Sequence, residues 1–503
     1  MDADAAPLPV PLSVWMDSAT GPDRSGTALP GEVDVVVIGA GIAGLTTAYA
    51  LACDDRTVLV LDAGAVGGGV SGHTTAKLSA QHAEKYASLR EHKGREAAVQ
   101  YGHDQSAAVD WVERTSLALG IDCQFTRTDS YVYTTETRRL TDLRAEAAAA
   151  ADAGLPAEFV EQVPLDVPAA GAVRFGDQAR FHPRRWLLGL AKAIEDLGGQ
   201  VAENARVVRV DERPVPVVHT ERGRVRAGDV VIATHYPVLD RGFYFARLDP
   251  VRDLVVAGPV SGGTDGVFLD ADTHHSVRYH ERNGERMVIV GGEHYRTGEE
   301  VDVEARYTRL AEWALRHTGL ERVTHRWSAH DLSTLDSVPY VGRYHPFSRH
   351  LWVATGFGQW GMSGGTAAGL LLADLLADRE NPGAWLYDPE RFDLRSGISL
   401  ARNNFTVARH LVGDHLRAVG ADAEFATLGM GEARVATSGA SVIAAYRDDH
   451  GVLHRRSARC THLGCVVAFN NAEKTWDCPC HASRFGVDGS VIQGPATRPL
   501  PEA

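Results

Sequence analysis

The sequence predicts an α/β domain whose strands are buried on both faces, followed by a small all-β domain. The run from Val35 to Ile38 is β-branched and leads into closely spaced glycines and then into a stretch rich in Ala and Leu. A continuous run of this kind indicates a strand covered on both sides. The same order of strand, glycines and apolar helix recurs at 351–376. Residues 425–503 instead contain short alternating segments separated by Gly and Asp, which is typical of a small β-domain.

The length and the net charge of the chain limit the number of domains and the kinds of partner that we expect. A chain of 503 residues is too long for one compact core, so we expect two or three domains. The formal net charge of −14 argues against a nucleic-acid partner, because phosphates require Lys and Arg. Residues 1–30, which we interpret as an N-terminal extension, are acidic and rich in Pro and lack the pattern of a signal peptide. The longest apolar window, 33–52, is interrupted by glycines, so we predict no membrane span and a cytoplasmic location.

The first glycine cluster predicts a dinucleotide site. Gly39, Gly41 and Gly44 have the spacing G-x-G-x-x-G between the predicted strand and helix. The first permits a tight turn, the second lets the backbone approach a pyrophosphate, and the third lets the helix pack on the strand. The next predicted strand ends at Asp62, where an acid binds a ribose hydroxyl. The acid favours FAD or NAD over NADP, and a glycine turn without a ligand is the alternative.

Four further segments accompany this motif. Residues 70–82 are rich in small and hydroxyl side chains, and 228–237 form a buried strand that ends in small residues. "TLDSVPYVGR" (334–343) precedes the second strand–glycine–helix segment, 351–376. With the first motif, these pieces resemble the glycine oxidase/D-amino-acid oxidase superfamily of FAD enzymes over roughly residues 31–395.

The resemblance implies a Rossmann-like FAD-binding domain of the glycine oxidase type, with an antiparallel substrate sheet formed mainly by 85–170 and 240–320. Residues 276–295, with "RNGE" between two alternating strands, predict a hairpin of that sheet. The resemblance implies FAD-binding roles for Gly39, Gly41, Ile42, Ala43, Gly44, Asp62, His73, Thr74, Thr75, Lys77, Leu78, Val207, Ala233, Gly356, Gly358, Gly361, Met362 and Ser363.

The substrate residues depart from the family pattern. In that pattern an arginine pairs with the substrate carboxylate, and this sequence places Asp331 at the position. An acid repels a carboxylate and attracts a cation, so we expect an amine-type substrate; a buried, hydrogen-bonded acid is the alternative. Gln359 is expected to contact the substrate, Tyr295 is a further polar candidate on the hairpin, and Lys77 is expected to stabilise a reduced, anionic flavin. A covalent flavin link through His73 is an alternative to non-covalent binding.

The C-terminal region contains two cysteine–histidine pairs, Cys460-x-His462 and Cys478-x-x-His481. Two thiolates and two imidazoles are also a ligand set for tetrahedral zinc. The spacing C-x-H followed by C-x-x-H, with one histidine in each pair, is that of a Rieske [2Fe–2S] centre. There the two thiolates hold one iron and the two imidazoles hold the other. We predict the Rieske centre and keep zinc as the alternative.

The same region resembles Rieske proteins of the cytochrome-complex type. That resemblance implies a disulfide between Cys465 and Cys480, next to the cluster. The short alternating strands and Gly/Asp turns place the Rieske domain at about 425–503. The amphipathic stretch between the two domains, 396–424, predicts a helical connector.

Together the two regions resemble bacterial FAD-dependent oxidoreductases of the glycine oxidase type with a C-terminal Rieske domain. Because a built-in cluster gives electrons a route other than oxygen, we predict a dehydrogenase that oxidises a small, amine-type molecule and passes electrons from flavin to the cluster and on to an external one-electron carrier. One alternative is a reductase in which the cluster feeds the flavin. Others are a redox-sensing or scaffold protein without turnover, and a Rieske domain that only tethers the enzyme.

Overall fold

The computed structural model describes residues 8–239, 241–299, 301–391, 425–438 and 441–503. The predicted connector, 396–424, lies outside these residues. The strands are β1 (Glu32–Ile38), β2 (Val58–Leu61), β3 (Lys77–Leu78), β4 (Thr126–Thr134), β5 (Ala157–Val160), β6 (Gly171–Arg180), β7 (Gln200–Ala202), β8 (Val207–Asp211), β9 (Val217–Thr220), β10 (Gly223–Ile232), β11 (Leu248–Pro259), β12 (Val267–Asp270), β13 (Ser276–Arg282), β14 (Glu285–Arg296), β15 (His325–Thr334), β16 (Tyr340–Arg343), β17 (Leu351–Thr355), β18 (Ala433–Ser438), β19 (Ser441–Arg447), β20 (Leu453–Ser457), β21 (Ala468–Asn470), β22 (Thr475–Asp477), β23 (Arg484–Gly486) and β24 (Val491–Gln493).

The α-helices within the same ranges differ widely in length. They are α1 (Val14–Ser18), α2 (Ile42–Cys53), α3 (Lys85–Lys93), α4 (Arg95–Ala118), α5 (Leu140–Asp152), α6 (Pro183–Asp196), α7 (Tyr244–Arg247), α8 (Val303–His317), α9 (Gly361–Leu376) and α10 (Ala384–Tyr387). In the part of the chain that the structure describes, no helix combines the length and the apolar character needed to cross a bilayer.

The first sheet has the order β16-β17-β10-β1-β2-β7, with β8 and β9 attached beside β10. Its four central pairings, β17–β10, β10–β1, β1–β2 and β2–β7, are parallel. Val35 to Ile38 in β1 and all four residues of β2 are buried, as continuous apolar runs predict for strands covered on both faces. This sheet confirms the predicted α/β architecture.

The second sheet has the order β15-β11-β14-β13-β12-β4-β6-β3, with β5 beside β6. Apart from the parallel pair β4–β12, its pairings are antiparallel. The predicted hairpin is confirmed: β13 and β14 pair around Asn283 and Gly284, which both have positive φ (53° and 82°), as a two-residue turn of this kind requires. The strands come from residues 77–180 and 248–334, so this sheet draws on more of the chain than the predicted substrate segments.

Helices α2 and α9 follow the two glycine-rich turns and lie against each other. A Cβ on Gly365 of α9 would come within 2.6 Å of Ile42 Cγ2, and a Cβ on Gly369 within 2.6 Å of Thr46 Cβ. These glycines therefore allow the two helices to approach closely, and both N-termini open toward the same edge of the first sheet.

The C-terminal region forms two small antiparallel sheets, β18-β19-β20 and β21-β22-β23-β24. Its apolar core contains Trp476 and Phe485, which are both fully buried, together with the four C-terminal cysteines. The predicted small all-β domain is therefore confirmed. The domain boundaries at residues 31, 395 and 425 stay predictions.

The N-terminal extension packs on the rest of the protein. Val14 and Trp15 are fully buried in α1. Ser13 Oγ donates a hydrogen bond to Gly72 O (2.6 Å), and Trp15 Nε1 donates one to Thr74 O (2.7 Å). The extension thus holds the chain between Gly72 and Thr74, in the hydroxyl-rich loop that the sequence connects with the cofactor.

We expect Trp15→Ala to remove about 3–5 kcal/mol from the free energy of unfolding, because it leaves a large cavity under the loop. Bound flavin per protein should fall with it. Thermal unfolding and flavin absorbance after purification measure the two effects. Trp385→Ala is the control, since that side chain is 48% exposed. Equal effects of the two substitutions would contradict a supporting role for Trp15.

Candidate functional site

The turn between β1 and α2 is shaped by contacts that exclude side chains. Gly39 has a φ of 110°, and a Cβ there would come within 2.4 Å of Ala233 O. A Cβ on Gly44 would come within 2.0 Å of Gly39 O, so helix and turn are in direct contact. Ile42 N–H donates to Ser71 Oγ at 3.1 Å. The turn leaves the positive end of α2 facing a cavity, where a phosphate group is stabilised.

That cavity has a volume of about 470 Å³ and runs between the two large sheets. Of the residues predicted to bind FAD, those that line it are Gly39, Gly41, Ile42, Ala43, Asp62, Thr74, Thr75, Lys77, Val207, Ala233, Gly361 and Met362. The two helix N-termini, of α2 and α9, both contribute to the wall. Glycines at one end of the cavity let the backbone approach a ligand, and the helix N-termini in the wall favour negative charge. Both features fit a dinucleotide, so these residues can hold FAD.

Six predicted residues lie behind this wall, namely Gly44, His73, Leu78, Gly356, Gly358 and Ser363. Ser363 Oγ donates to Ser79 O (2.8 Å) and lies 3.0 Å from His82 Nε2. Gly356, with a φ of 81°, packs so closely on Thr334 that a Cβ would come within 2.3 Å of its Cγ2. Two residues further on, Gly358 donates its N–H to Leu332 O at 2.8 Å. The two glycines therefore shape the turn between β17 and α9, and Ser363 ties α9 to the chain after β3.

Asp62 is held at the end of β2 by two backbone groups. Ala40 N–H donates to Asp62 Oδ2 (2.7 Å), and Gly64 N–H donates to Asp62 Oδ1 (2.8 Å). Burial raises the pKa of this carboxyl, and the two N–H donors oppose the shift. The carboxyl therefore lines the cavity in a fixed orientation beside the first glycine turn, at the place where a ribose hydroxyl is expected.

Only part of the loop after β2 lines the cavity. Thr74, Thr75 and Lys77 line the cavity. His73 instead turns its Nδ1 toward Gly69 O, at 2.8 Å. Burial lowers the pKa of His73 and lowers that of Lys77 to about 8. Of the two side chains, the structure thus places the lysine rather than the histidine at the cavity.

A pair of acids lines the cavity from the second sheet. In the β11–β15 pairing Asp253 lies opposite Ala329 and Val251 lies opposite Asp331, so the two acids are diagonal neighbours on one face. Gln359 joins them: its Nε2 donates to Asp253 Oδ2 (2.5 Å), and its N–H donates to Asp331 Oδ1 (3.1 Å). Burial, and then the negative charge of Asp253, raise the pKa of Asp331. Sequence reasoning missed Asp253, since only the strand register pairs it with Asp331.

Tyr295 does not reach this cavity, unlike the sequence prediction. Its side chain is buried against the C-terminal domain, where Asn470 Nδ2 donates to Tyr295 Oη at 3.2 Å. Before Tyr295, the alternation of side chains between the two faces of β14 is interrupted. Glu293 has a φ of 53°, and the pairing of β14 with β11 shifts register between Arg252 and Leu254. The bulge moves Tyr295 away from the side that Gly291 occupies in the cavity wall.

The four predicted cluster ligands come together in the C-terminal domain. The rings of His462 and His481 are perpendicular, with centroids 4.8 Å apart. Cys460 and Cys478 are buried free thiols, whereas Cys465 and Cys480 are joined in the predicted disulfide. Within the described residues, neither ring nitrogen of His481 has a hydrogen-bond partner. A buried imidazole without partners beside two free thiols fits a metal ligand set.

The C-terminal domain also closes the cavity of the first domain. Arg206 Nη2 donates to Val491 O (3.0 Å), and Arg252 Nη2 donates to Gln493 Oε1 (2.9 Å). The residues of this domain that line the cavity are Val491, Ile492, Gln493, Gly494 and Thr497. The cavity is therefore a composite of both domains, which the sequence did not indicate.

This fold and these two sites define an oxidoreductase with a flavin and an iron–sulfur cluster. The FAD dependent oxidoreductase family (DAO) matches residues 34–375, and the Rieske [2Fe-2S] domain matches residues 418–503. The chain belongs to this FAD-dependent oxidoreductase family and carries a C-terminal Rieske domain. It binds FAD and a [2Fe–2S] cluster, which confirms both predicted cofactors and decides against zinc.

One relative and two solved structures show what this chain is similar to. The putative Rieske 2Fe-2S iron-sulfur protein YhfW of Bacillus subtilis (strain 168) is 33% identical over 496 residues, or 97% of each chain. Glycine oxidase from Geobacillus kaustophilus shares the fold with a TM-score of 0.60 and 19% identity over 72% of this chain and 100% of its own. L-proline dehydrogenase from P. horikoshii shares the fold with a TM-score of 0.59 and 20% identity, over 72% of this chain and 98% of its own.

We expect Cys460→Ser to remove the cluster, because hydroxyl oxygen is a poor replacement for thiolate sulfur at iron. FAD should stay bound, since the first glycine turn belongs to the other domain. Iron analysis and EPR of the reduced protein measure the first effect, and flavin absorbance the second. Cys123→Ser, which changes another buried thiol, is the control. Full iron content in Cys460→Ser would contradict the ligand assignment.

Proposed function

We propose that this protein is a dehydrogenase that oxidises a small, amine-type substrate and passes electrons from FAD to its own Rieske cluster, from which an external one-electron carrier takes them. The observation that carries the proposal is the acid pair Asp253–Asp331 in the cavity that holds FAD.

The acid pair supports a cationic substrate. Two carboxyl groups beside each other cannot both ionise freely, so the pair holds a proton more readily than either acid alone. An ammonium group can donate hydrogen bonds to the carboxyl oxygens, whereas a substrate carboxylate would be repelled. Gln359 fixes both acids through its two hydrogen bonds, so the acceptor oxygens are oriented before a substrate arrives.

The same pair supports a role in proton transfer. An amine loses its hydride readily only when its nitrogen is neutral, so an ammonium substrate must first give up a proton. When it is ionised, Asp331, whose pKa is raised, is a stronger proton acceptor than an ordinary carboxylate. When bound, FAD accepts two electrons as a hydride, and a Rieske cluster exchanges electrons singly.

Lys77 adds a positive charge to the same wall. It faces Trp360, with its Nζ 5.8 Å from the ring centroid, and its charge interacts with both acids. Because its pKa is about 8, most Lys77 side chains carry the ammonium charge at neutral pH. We propose that this charge stabilises an anionic reduced flavin, as well as limiting the net negative charge of the acid pair.

The decisive experiment is anaerobic mixing of the holoenzyme with secondary amines, polyamines, amino acids and NAD(P)H in turn. Flavin absorbance and the EPR signal of the reduced cluster are followed in each mixture. We expect an amine to bleach the flavin and to produce the cluster signal. Reduction of the cluster by an external donor before the flavin would instead show a reductase, and no reduction by any donor would favour a sensor or scaffold.

We expect Asp331→Asn to weaken amine binding by about tenfold or more, because a hydrogen bond to a charged group contributes about 1.5–3 kcal/mol. The concentration of amine that gives half-maximal flavin bleaching measures the change. Asp249→Asn is the control, since this acid lies on the same strand, β11, but pairs with Arg296 at the surface. Equal behaviour of both variants would contradict substrate binding by Asp331.

A further inference from the structure

One ligand of the cluster faces the oxidoreductase domain and not solvent. His481 is 1% exposed. The ring of Tyr236 lies with its centroid 6.3 Å from that of His481, and the ring of Phe245 lies at 5.8 Å. Both aromatic residues belong to the segment that follows β10, the strand beside β1 in the FAD-binding sheet.

The residue before Tyr236 lines the FAD cavity. His235 has a φ of 64°, and its carbonyl accepts a hydrogen bond from Thr355 Oγ1 at 2.5 Å. This backbone conformation directs His235 into the cavity wall while Tyr236 packs against His481. Two consecutive residues therefore separate the flavin cavity from a cluster ligand.

A second contact brings the cluster loop against the same domain. Gly298, just after β14, has a φ of 76°, and a Cβ there would come within 2.3 Å of Pro479 N and 2.6 Å of Cys478 C. Cys478 is itself a predicted cluster ligand. The close approach of the cluster loop to the oxidoreductase domain therefore requires glycine at this position.

Buried charges hold the two domains in this arrangement. Arg484 pairs with Asp477 (2.8 Å) and Glu473 (2.5 Å), and Glu473 also interacts with Ser328 and Arg252 of the first domain. Although burial acts to raise it, the pKa of Glu473 is held at about 2 by the nearby guanidinium groups. Separating the domains would expose or break this network, which is costly for buried ion pairs.

We propose that the two centres exchange electrons within one chain, across the contact of the His235–Tyr236 segment with His481, at a separation that Gly298 makes possible. The proposal rests on the proposed function, of which it specifies the route. Oxidation of an ammonium substrate to its iminium releases two electrons and two protons. The electrons cross this contact one at a time, and two molecules of an external one-electron acceptor remove them from the cluster.

The other histidine of the ligand set, His462, is the less enclosed of the two. His462 is only half-buried, and the neighbouring Leu463 is 42% exposed. Since His481 is enclosed between the domains, an external carrier reaches the ligand set from the His462 side. The cluster domain thus has one internal and one external side.

The test compares Gly298→Val with Gly284→Val in the holoenzyme. Both glycines have similar positive φ, 76° and 82°, but a Cβ on Gly284 meets nothing within 4 Å. The two substitutions therefore bring comparable backbone strain, and only the first pushes the cluster loop away. Iron and flavin contents are measured for each variant before any kinetics.

FAD is reduced photochemically by a laser flash with EDTA as the electron donor, so no enzymatic oxidation of a substrate is needed, and the appearance of the reduced cluster is followed by absorbance and EPR. We expect the cluster to be reduced about tenfold or more slowly in Gly298→Val, a rise of about 1.4 kcal/mol in the barrier. The rate in Gly284→Val should equal that of the unchanged protein. Equal rates in all three proteins at full iron content would overturn the proposal.

Dilution of the unchanged protein provides a test that does not depend on any variant. We expect the rate constant for cluster reduction after the flash to be the same at all protein concentrations, as transfer within one chain requires. A rate proportional to concentration would overturn the proposal, because it would show transfer between molecules. Because light replaces the substrate, failure of the amine hypothesis leaves both results interpretable.

Discussion

The docking of the Rieske domain on the oxidoreductase domain is the constraint on which both sites depend. Gln493 is held by Arg252, and the strand that carries it, β24, completes the wall of the FAD cavity. The same domain presents His481 to the aromatic residues after β10. Such an interface contains charges that are stable when buried only if they are paired, and Arg484 with Glu473 and Asp477 provides that pairing.

Within the cavity, the two sheets contribute different chemistry. The parallel sheet supplies backbone groups and helix N-termini, because its strands end in glycine turns that expose N–H groups. The antiparallel sheet supplies ionisable side chains, because alternation directs every second residue of β11 and β15 to the same face. Asp253 and Asp331 therefore share a face, and Lys77 of β3 lines the same cavity. Burial shifts the pKa values of Asp331 and Lys77 in opposite directions.

The N-terminal extension adds a constraint from outside the sheets. Its buried Trp15 packs within cation–π distance of Arg278, whose Nη1 donates to Thr75 O (3.1 Å) and to Ala76 O (2.5 Å). The loop that presents Thr74, Thr75 and Lys77 to the cavity is thus fixed on both sides by buried groups. A cavity wall made of loop residues needs such support, since loops otherwise sample several conformations.

By itself, the sequence determined the two cofactors and the α/β and all-β classes, and it predicted a cysteine–histidine set for the cluster, because each depends on local order: glycines after a strand, or cysteines and histidines a few residues apart. Tertiary structure alone decided that Asp253 joins Asp331, that Tyr295 turns away from the cavity, and that the Rieske domain closes it. These facts depend on strand register, on the bulge at Glu293, and on the packing of segments hundreds of residues apart. No local pattern encodes such contacts, since residues distant in the chain meet only when the sheets and domains pack.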